Sequence, residues 1–313
     1  MKQSIKIESL YIFALLMVSS VVYAFYVYLA TQNHFSQLEP MIYGTASKPY
    51  VYRVLAPIII RILAGVTNTS PFLMTILIMY LSLIGFSMSM SALVRTFIPS
   101  QYFQIWGILA PIGLVPFLFE QRHIYDFPTL FLFTLALYYL AKNDFPKYLL
   151  VFVFATLSKE TSLFLVIFFI MQFSKIERKR FLPIVFIQII IYLLIRLSLI
   201  MLFRNNLGEL LEFHLYEHVS AYIQNPISSI VLFCAIVVII SISIFALDNK
   251  ANFVRNSLIA IGCPTLCLYF FFGVPFEIRI FLETYPSIYL TICLAAIFFY
   301  KRFANVKRIK IAG

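Results

Sequence analysis

The chain has 313 residues, of which 62% are hydrophobic, 18% are aromatic and only 12% are charged, and its formal net charge is +11. This composition excludes a soluble globular domain and predicts an all-α, polytopic integral membrane protein, with a single transmembrane domain over residues 1–313. Cytoplasmic Lys and Arg residues of a membrane protein account for the positive charge, so no nucleic-acid partner is expected.

The first apolar segment, residues 10–30, follows Lys2 and Lys6. It is too long for the apolar part of a cleaved signal, so we expect a retained first span with a cytoplasmic N-terminus. Residues 31–50 are more polar and include Glu39. They are therefore expected on the outer side.

A helix lying along the outer membrane interface is expected next, at residues 50–65. Arg53 and Arg61 are eight positions apart in this stretch, which puts both on one face of a helix whose other face is aliphatic. Residues 71–93 then form the second span. The third, residues 102–119, contains Pro111 and Pro116, so a kinked or broken helix is predicted there.

The apolar run at residues 148–173 is interrupted at its centre by Lys159 and Glu160. A single crossing would place both charges near the membrane midplane, at a cost of roughly 2.5–3.5 kcal/mol each. Both flanks of the run are basic, which indicates that both are cytoplasmic. We therefore expect a hairpin of two short helices with its tip, residues 158–161, directed toward the outer side.

About ten membrane segments result when the later apolar stretches are added, with both termini cytoplasmic. The predicted inner segments hold sixteen basic and four acidic residues, whereas the outer side and outer membrane half hold eight basic and nine acidic residues. This asymmetry follows the positive-inside rule. The groups able to carry acid–base chemistry are therefore concentrated on the non-cytoplasmic side.

Four polar groups are candidates for a functional site on that side. They are Glu39 with Tyr52 and Arg53, the stretch with Arg122, His123, Tyr125 and Asp126, Lys159 with Glu160, and Glu277 with Arg279. Each also has a structural interpretation: contact with lipid headgroups for Arg53, a helix cap for Asp126, a neutral ion pair for Lys159 and Glu160, and solvated loop charges for Glu277 and Arg279. The histidine spacing indicates no metal site, and no cofactor is assigned.

Four short strings carry a resemblance to a known family: Tyr52-Arg53-Val54-Leu55-Ala56-Pro57, Tyr125-Asp126-Phe127-Pro128, Leu157-Ser158-Lys159-Glu160-Thr161 and Glu277-Ile278-Arg279. With the short, charge-broken helices, they make the chain resemble the GT-C superfamily of polytopic membrane glycosyltransferases. The resemblance implies transfer of a sugar from a polyprenyl phosphate donor to an unidentified glycan, lipid or protein acceptor. It also implies a place in a bacterial inner membrane, among membrane lipid.

The resemblance further implies that a carboxylate in the first outer loop acts as general base. Glu39 holds that position here, where the family more often has Asp, and Asp126 is a second candidate. Arg53, Lys159 and Arg279 are expected to hold the donor phosphate. The other members of the expected substrate site are Tyr52, Arg122, His123, Tyr125, Glu160 and Glu277.

Two other classes of function fit the same residues. A transporter or flippase also has charged groups inside the membrane and broken helices. A non-catalytic component of envelope polysaccharide assembly is the third reading.

Overall fold

The structure is a computed structural model that describes residues 2–32, 35–98, 102–118, 122–210, 213–245 and 252–311. Within these ranges the regular structure is helical and includes no strand, which confirms the all-helical prediction. The helices are α1 (Lys2–Gln32), α2 (Leu38–Tyr43), α3 (Leu55–Thr67), α4 (Pro71–Phe97), α5 (Phe103–Ile112), α6 (Asp126–Ala141), α7 (Phe145–Ser158), α8 (Leu163–Phe173), α9 (Arg178–Leu202), α10 (Leu215–Gln224), α11 (Pro226–Phe245), α12 (Asn252–Ser257), α13 (Cys263–Phe272) and α14 (Tyr285–Ile311).

Local sequence explains where two of the main helices begin. The Ser70 side chain accepts a hydrogen bond from the Leu73 amide at 3.3 Å, and Pro71 occupies the first turn of α4. The Asp144 side chain likewise accepts from the Lys147 amide at 3.4 Å at the start of α7. A polar cap followed by proline is a strong helix start, because proline has no amide that needs a partner.

Helix α4 lies at the centre of the first half of the chain and packs against α1, α3, α5 and α6. Small residues permit the close approach of these helices. Ser19 of α1 donates to Ser87 of α4 at 2.8 Å, and both side chains are buried. At Gly107 of α5, a Cβ atom would overlap the Tyr11 hydroxyl of α1.

The chain reverses direction between α7 and α8, as the break at Lys159 and Glu160 predicts. The rings of Phe145 and Phe173, at the far ends of the two helices, are 5.3 Å apart, and a continuous helix would separate them by about 40 Å. Tyr148 stacks on Phe169 with ring centroids 6.0 Å apart. Both helices also pack against α9.

By length and composition, four helical segments could cross a membrane: α1, α4, α9 and the continuous stretch Asn252–Phe272. The bent pair of α10 and α11, with an angle of 111°, makes a fifth if it is counted as one span. The remaining apolar helices of the described residues are 10–17 residues long, shorter than the ~20 residues that a full crossing needs. The arrangement of about ten membrane segments therefore stays a prediction.

The expected common face of Arg53 and Arg61 is wrong. Helix α3 begins at Leu55, so Arg53 precedes it with non-helical dihedral angles and a buried side chain, whereas Arg61 is exposed on the helix. Pro57 gives the physical reason. A helix starting at residue 50 would need the amide of residue 57 to donate to the Arg53 carbonyl, and proline has no such amide.

The contact of α7 with α9 can be tested through one buried hydrogen bond. The Tyr148 hydroxyl donates to Gln188 Oε1 at 2.7 Å, and both side chains are fully buried. Tyr148→Phe leaves the amide oxygen without this donor, so we expect a loss of about 1–3 kcal/mol in the free energy of unfolding. Equilibrium unfolding in detergent measures it. Tyr43→Phe, at an exposed tyrosine, is the control, and equal stabilities of the two variants would contradict this packing.

Candidate functional site

A network of buried and half-buried charges lies where several distant segments meet. The turn between α7 and α8 contributes to it, as do the segment before α3, the start of α6, the middle of α9 and the 3-10 turn at Ile278–Glu283. Four cations face four carboxylates: Arg53, Lys159, Arg196 and Arg279, with Asp126, Glu160, Glu277 and Glu283. We call these eight residues the ion-pair network. Because an unpaired buried charge is costly, their balance is what permits burial.

Lys159 and Glu160 do not pair with each other. Lys159 Nζ contacts Glu283 Oε1 at 2.5 Å, whereas Glu160 Oε1 contacts Arg53 Nη2 at 2.6 Å. Arg196 Nη2 lies 3.9 Å from the other Glu160 oxygen. The reason is local: Lys159 has an extended backbone between two helical segments, so it and the next side chain point in different directions. The interpretation of these two residues as one local ion pair is wrong.

Asp126 joins the start of α6 to the 3-10 turn at Ile278–Glu283. One carboxylate oxygen accepts from Arg279 Nη1 at 2.8 Å, and the other accepts from the His123 amide at 3.0 Å. Asp126 is the first residue of α6, and no side-chain cap is formed at Tyr125 before it. The Asp126 side chain therefore holds the preceding loop and a guanidinium instead of capping the helix. Arg279 contacts Glu277 as well.

Three aromatic rings form a stack beside the network. His123 lies between Tyr50 and Tyr125, with ring centroids 5.1 Å and 5.0 Å away. The Arg53 guanidinium lies over the Tyr125 ring at 4.4 Å and donates to the Tyr125 hydroxyl. His123 is fully buried, and neither of its ring nitrogens has a hydrogen-bond partner among the described residues.

The structure brings together most of the residues singled out from the sequence. Tyr52 is buried, with the Arg196 guanidinium over its ring at 5.4 Å. Arg122 is buried but faces Tyr26 instead of the network. Glu39 is exposed in the first turn of α2, and no hydrogen bond or ion pair in the described part of the chain joins it to the network. The structure thus leaves Glu39 apart from the other candidates.

Sequence reasoning overlooked Arg196, Glu283 and Tyr50 as members of this site. Arg196 had a usable signal, since it is the one charge within the apolar stretch of α9 after its basic start. Glu283 had a weaker one, as a carboxylate in the same short segment as Glu277 and Arg279. No sequence pattern marks Tyr50 as a site residue, apart from its position next to Val51 and Tyr52.

Among the described residues, no group of three or more His, Cys, Asp or Glu side chains is arranged to hold a metal ion. No protein-family model, no curated protein and no solved structure matches this chain. The resemblance to the GT-C superfamily therefore stays a prediction, and function has to be argued from the site.

The chemistry open to the site follows from its charge balance. Arg53 and Arg279 each contact a carboxylate within 2.8 Å, so an anionic ligand at either one has to compete with that carboxylate. Asp126 is in turn engaged by Arg279 and by a backbone amide. A base or an anion site in this network therefore requires an ion pair to separate first.

The identity of the pairs can be tested by a double-mutant cycle on unfolding. Lys159→Met and Glu283→Leu should each cost about 3–5 kcal/mol, because each leaves one buried charge without its partner, and the double variant should regain much of that loss. A cycle of Lys159→Met with Glu160→Gln should show little coupling. The exposed pair Asp144–Lys147 is the matched control. Stronger coupling of Lys159 to Glu160 than to Glu283 would contradict the described geometry.

Proposed function

We propose that the chain is an integral membrane protein of about ten segments, with both termini cytoplasmic and the ion-pair network on the non-cytoplasmic side. The observation that supports membrane insertion is the exposed apolar surface of the long helices. On α9, large apolar side chains such as Phe186, Leu194 and Met201 are exposed. An apolar surface of this kind calls for a covering of hydrocarbon.

The topology can be tested at exposed positions on either side of α9. We expect Ser174→Cys to react with a membrane-impermeant maleimide only from the cytoplasmic side, and Asn205→Cys only from the other side. The background replaces the four native cysteines by alanine. Lys301→Cys, in α14, should react from the same side as Ser174→Cys. Labelling of Ser174→Cys and Asn205→Cys from one side would show that α9 does not cross the membrane.

The function that the site supports best is transfer of a sugar from a polyprenyl phosphate donor to an acceptor on the non-cytoplasmic side. The observation that supports this proposal is the ion-pair network itself, in which Arg279 contacts Asp126 while Arg53 and Lys159 lie against Tyr125, the residue before it. Such a transfer needs a base for the acceptor hydroxyl and cations for the departing phosphate. The network contains both kinds of group within one cluster.

Within this proposal Asp126 is the better candidate for the base, because Glu39 is exposed and separate from the network. Arg279 is the cation closest to Asp126, and Glu277 gives Arg279 an alternative carboxylate partner. Movement of Arg279 from Asp126 toward a substrate phosphate and Glu277 would release the base. Glu160 and Glu283 then act as positioning residues for Arg53 and Lys159.

Asp126→Asn tests this assignment, because it keeps the size of the side chain but removes its charge and basicity. We expect the transfer of radiolabelled sugar from polyprenyl phosphate to fall by about 10²–10⁴-fold. Asp144→Asn, a change at an exposed helix cap, should leave transfer unchanged, and Glu39→Gln should have little effect. Melting temperatures confirm that the variants are folded. Near-normal transfer by folded Asp126→Asn would remove Asp126 from the role of base.

A transporter or flippase is a second candidate, favoured by the fact that each of the four network carboxylates already has a cationic partner. Balanced charges that exchange partners suit a substrate path through a membrane. The two functions differ in their product. We would identify the protein as a flippase and not a transferase if wild type moves a labelled polyprenyl-linked sugar across the membrane of vesicles but forms no glycosylated acceptor.

A further inference from the structure

Arg122 differs from the four cations of the ion-pair network. Its side chain is 2% exposed, yet no carboxylate among the described residues lies within ion-pair distance of it. Its Nε and Nη2 atoms donate to the Leu118 carbonyl oxygen, both at 3.3 Å. The remaining nitrogen, Nη1, is buried and has no hydrogen-bond partner within the described ranges. Among those residues, the Arg122 guanidinium is therefore held by one neutral oxygen and by the face of the Tyr26 ring.

Tyr26 provides a second unsatisfied donor at the same place. The Arg122 guanidinium carbon is 5.4 Å from the centre of the Tyr26 ring, and the buried Tyr26 hydroxyl has no hydrogen-bond partner in the part of the chain that the structure describes. A water molecule can satisfy donors, but it cannot neutralise a buried positive charge. Two donors, one of them cationic, call for an acceptor that carries negative charge. A tetrahedral oxyanion has both the charge and enough acceptor oxygens.

The surroundings of Tyr26 indicate where the rest of such a ligand lies. Tyr26 is near the end of the apolar stretch Glu8–Tyr28 of α1. Val21, Phe25 and Tyr28, on the same stretch, are exposed apolar side chains. These side chains lie about 100–160° around the helix from Tyr26, so they show that α1 faces hydrocarbon at this height, and Tyr26, at the end of the stretch, lies near the level of the lipid phosphates. This combination favours the phosphate of a lipid over a free phosphate ion.

From this geometry we infer that Arg122 and Tyr26 form a binding site for the phosphate group of a membrane lipid. In taking that lipid to be the polyprenyl phosphate donor, the inference rests on the proposed function. It places the phosphate first at the buried cation that has no carboxylate partner among the described residues, because the charges of Arg53, Lys159 and Arg279 are already paired until one of those ion pairs separates. Asp126 lies four residues after Arg122, and its neighbour Phe127 packs on Tyr26 with ring centroids 4.7 Å apart. The phosphate site therefore adjoins the proposed base.

The test compares purified wild type with Arg122→Met and Tyr26→Phe, and with Arg61→Met, at an exposed arginine, as the matched control. The probes are a polyprenyl phosphate, the corresponding polyprenol and inorganic phosphate, and the measurement is the rise in melting temperature against probe concentration. We expect the polyprenyl phosphate to stabilise wild type and the polyprenol not to do so. Arg122→Met should weaken polyprenyl phosphate binding at least about tenfold, because a charged donor is lost, and Arg61→Met should not.

The protein without ligand gives an independent readout. Because no described carboxylate compensates the buried charge of Arg122, Arg122→Met should keep or raise the melting temperature in the absence of any probe. If the role of Arg122 were purely structural, the melting temperature of Arg122→Met would be lower than that of wild type. A decrease without ligand, together with unchanged polyprenyl phosphate binding, overturns the inference.

The remaining outcomes separate the sources of phosphate and the two proposals. Equal binding of polyprenol and polyprenyl phosphate by wild type overturns the phosphate site. Stabilisation by inorganic phosphate alone, lost in Arg122→Met, supports an oxyanion site but assigns it to free phosphate. Sugar transfer that does not depend on Arg122 overturns the inference and leaves the proposed function standing. Lipid phosphate binding that depends on Arg122, with no sugar transfer by wild type, supports the phosphate site and overturns the proposed sugar transfer.

Discussion

The pairing of buried charges is the constraint on which the rest of the structure depends. Lys159 contacts Glu283, Glu160 contacts Arg53, and Asp126 contacts Arg279, so each pair joins segments more than a hundred residues apart in the sequence. Removal of one partner leaves an uncompensated charge among apolar side chains, which costs far more than the loss of a surface ion pair. The hairpin tip, the start of α6 and the turn at Ile278–Glu283 therefore have to be in place together.

Neutral polar groups complete the environment of the hairpin tip. Ser158 hydrogen-bonds Thr129 of α6 at 2.7 Å, and Ser162 donates to Thr156 at 3.1 Å. The Glu160 carbonyl accepts from the Tyr192 hydroxyl of α9 at 3.2 Å. A reversal of the chain in an apolar setting exposes backbone groups that water does not reach, so they need partners from the protein. The tip is consequently held by α6 and α9 and not by its own two helices alone.

The sequence predicts the helices and the chain reversal more readily than the contacts between side chains. The break at Lys159 and Glu160 predicts the reversal, because two charges at the centre of a single crossing would lie near the membrane midplane at a high cost. The partners of those two charges were not predictable. An extended Lys159 sends neighbouring side chains in different directions, and the partner residues lie far away in the sequence. Arg53 was misplaced for a local reason, since a proline four residues later prevents the helix from including it.

The contrast between paired and unpaired cations bears on how such a site works. An ion pair such as Arg279 with Asp126 occupies both groups, so an anionic ligand at Arg279 has to compete with the Asp126 carboxylate. Arg122 has no carboxylate partner in the described part of the chain, so an anion at Arg122 would not have to displace one there. If the inferred site at Arg122 binds a phosphate, the added negative charge lies four residues from Asp126 and would compete with Asp126 for Arg279. Under the proposed function, substrate binding would thus be coupled to release of the base, with Asp126 paired to Arg279 until the phosphate arrives.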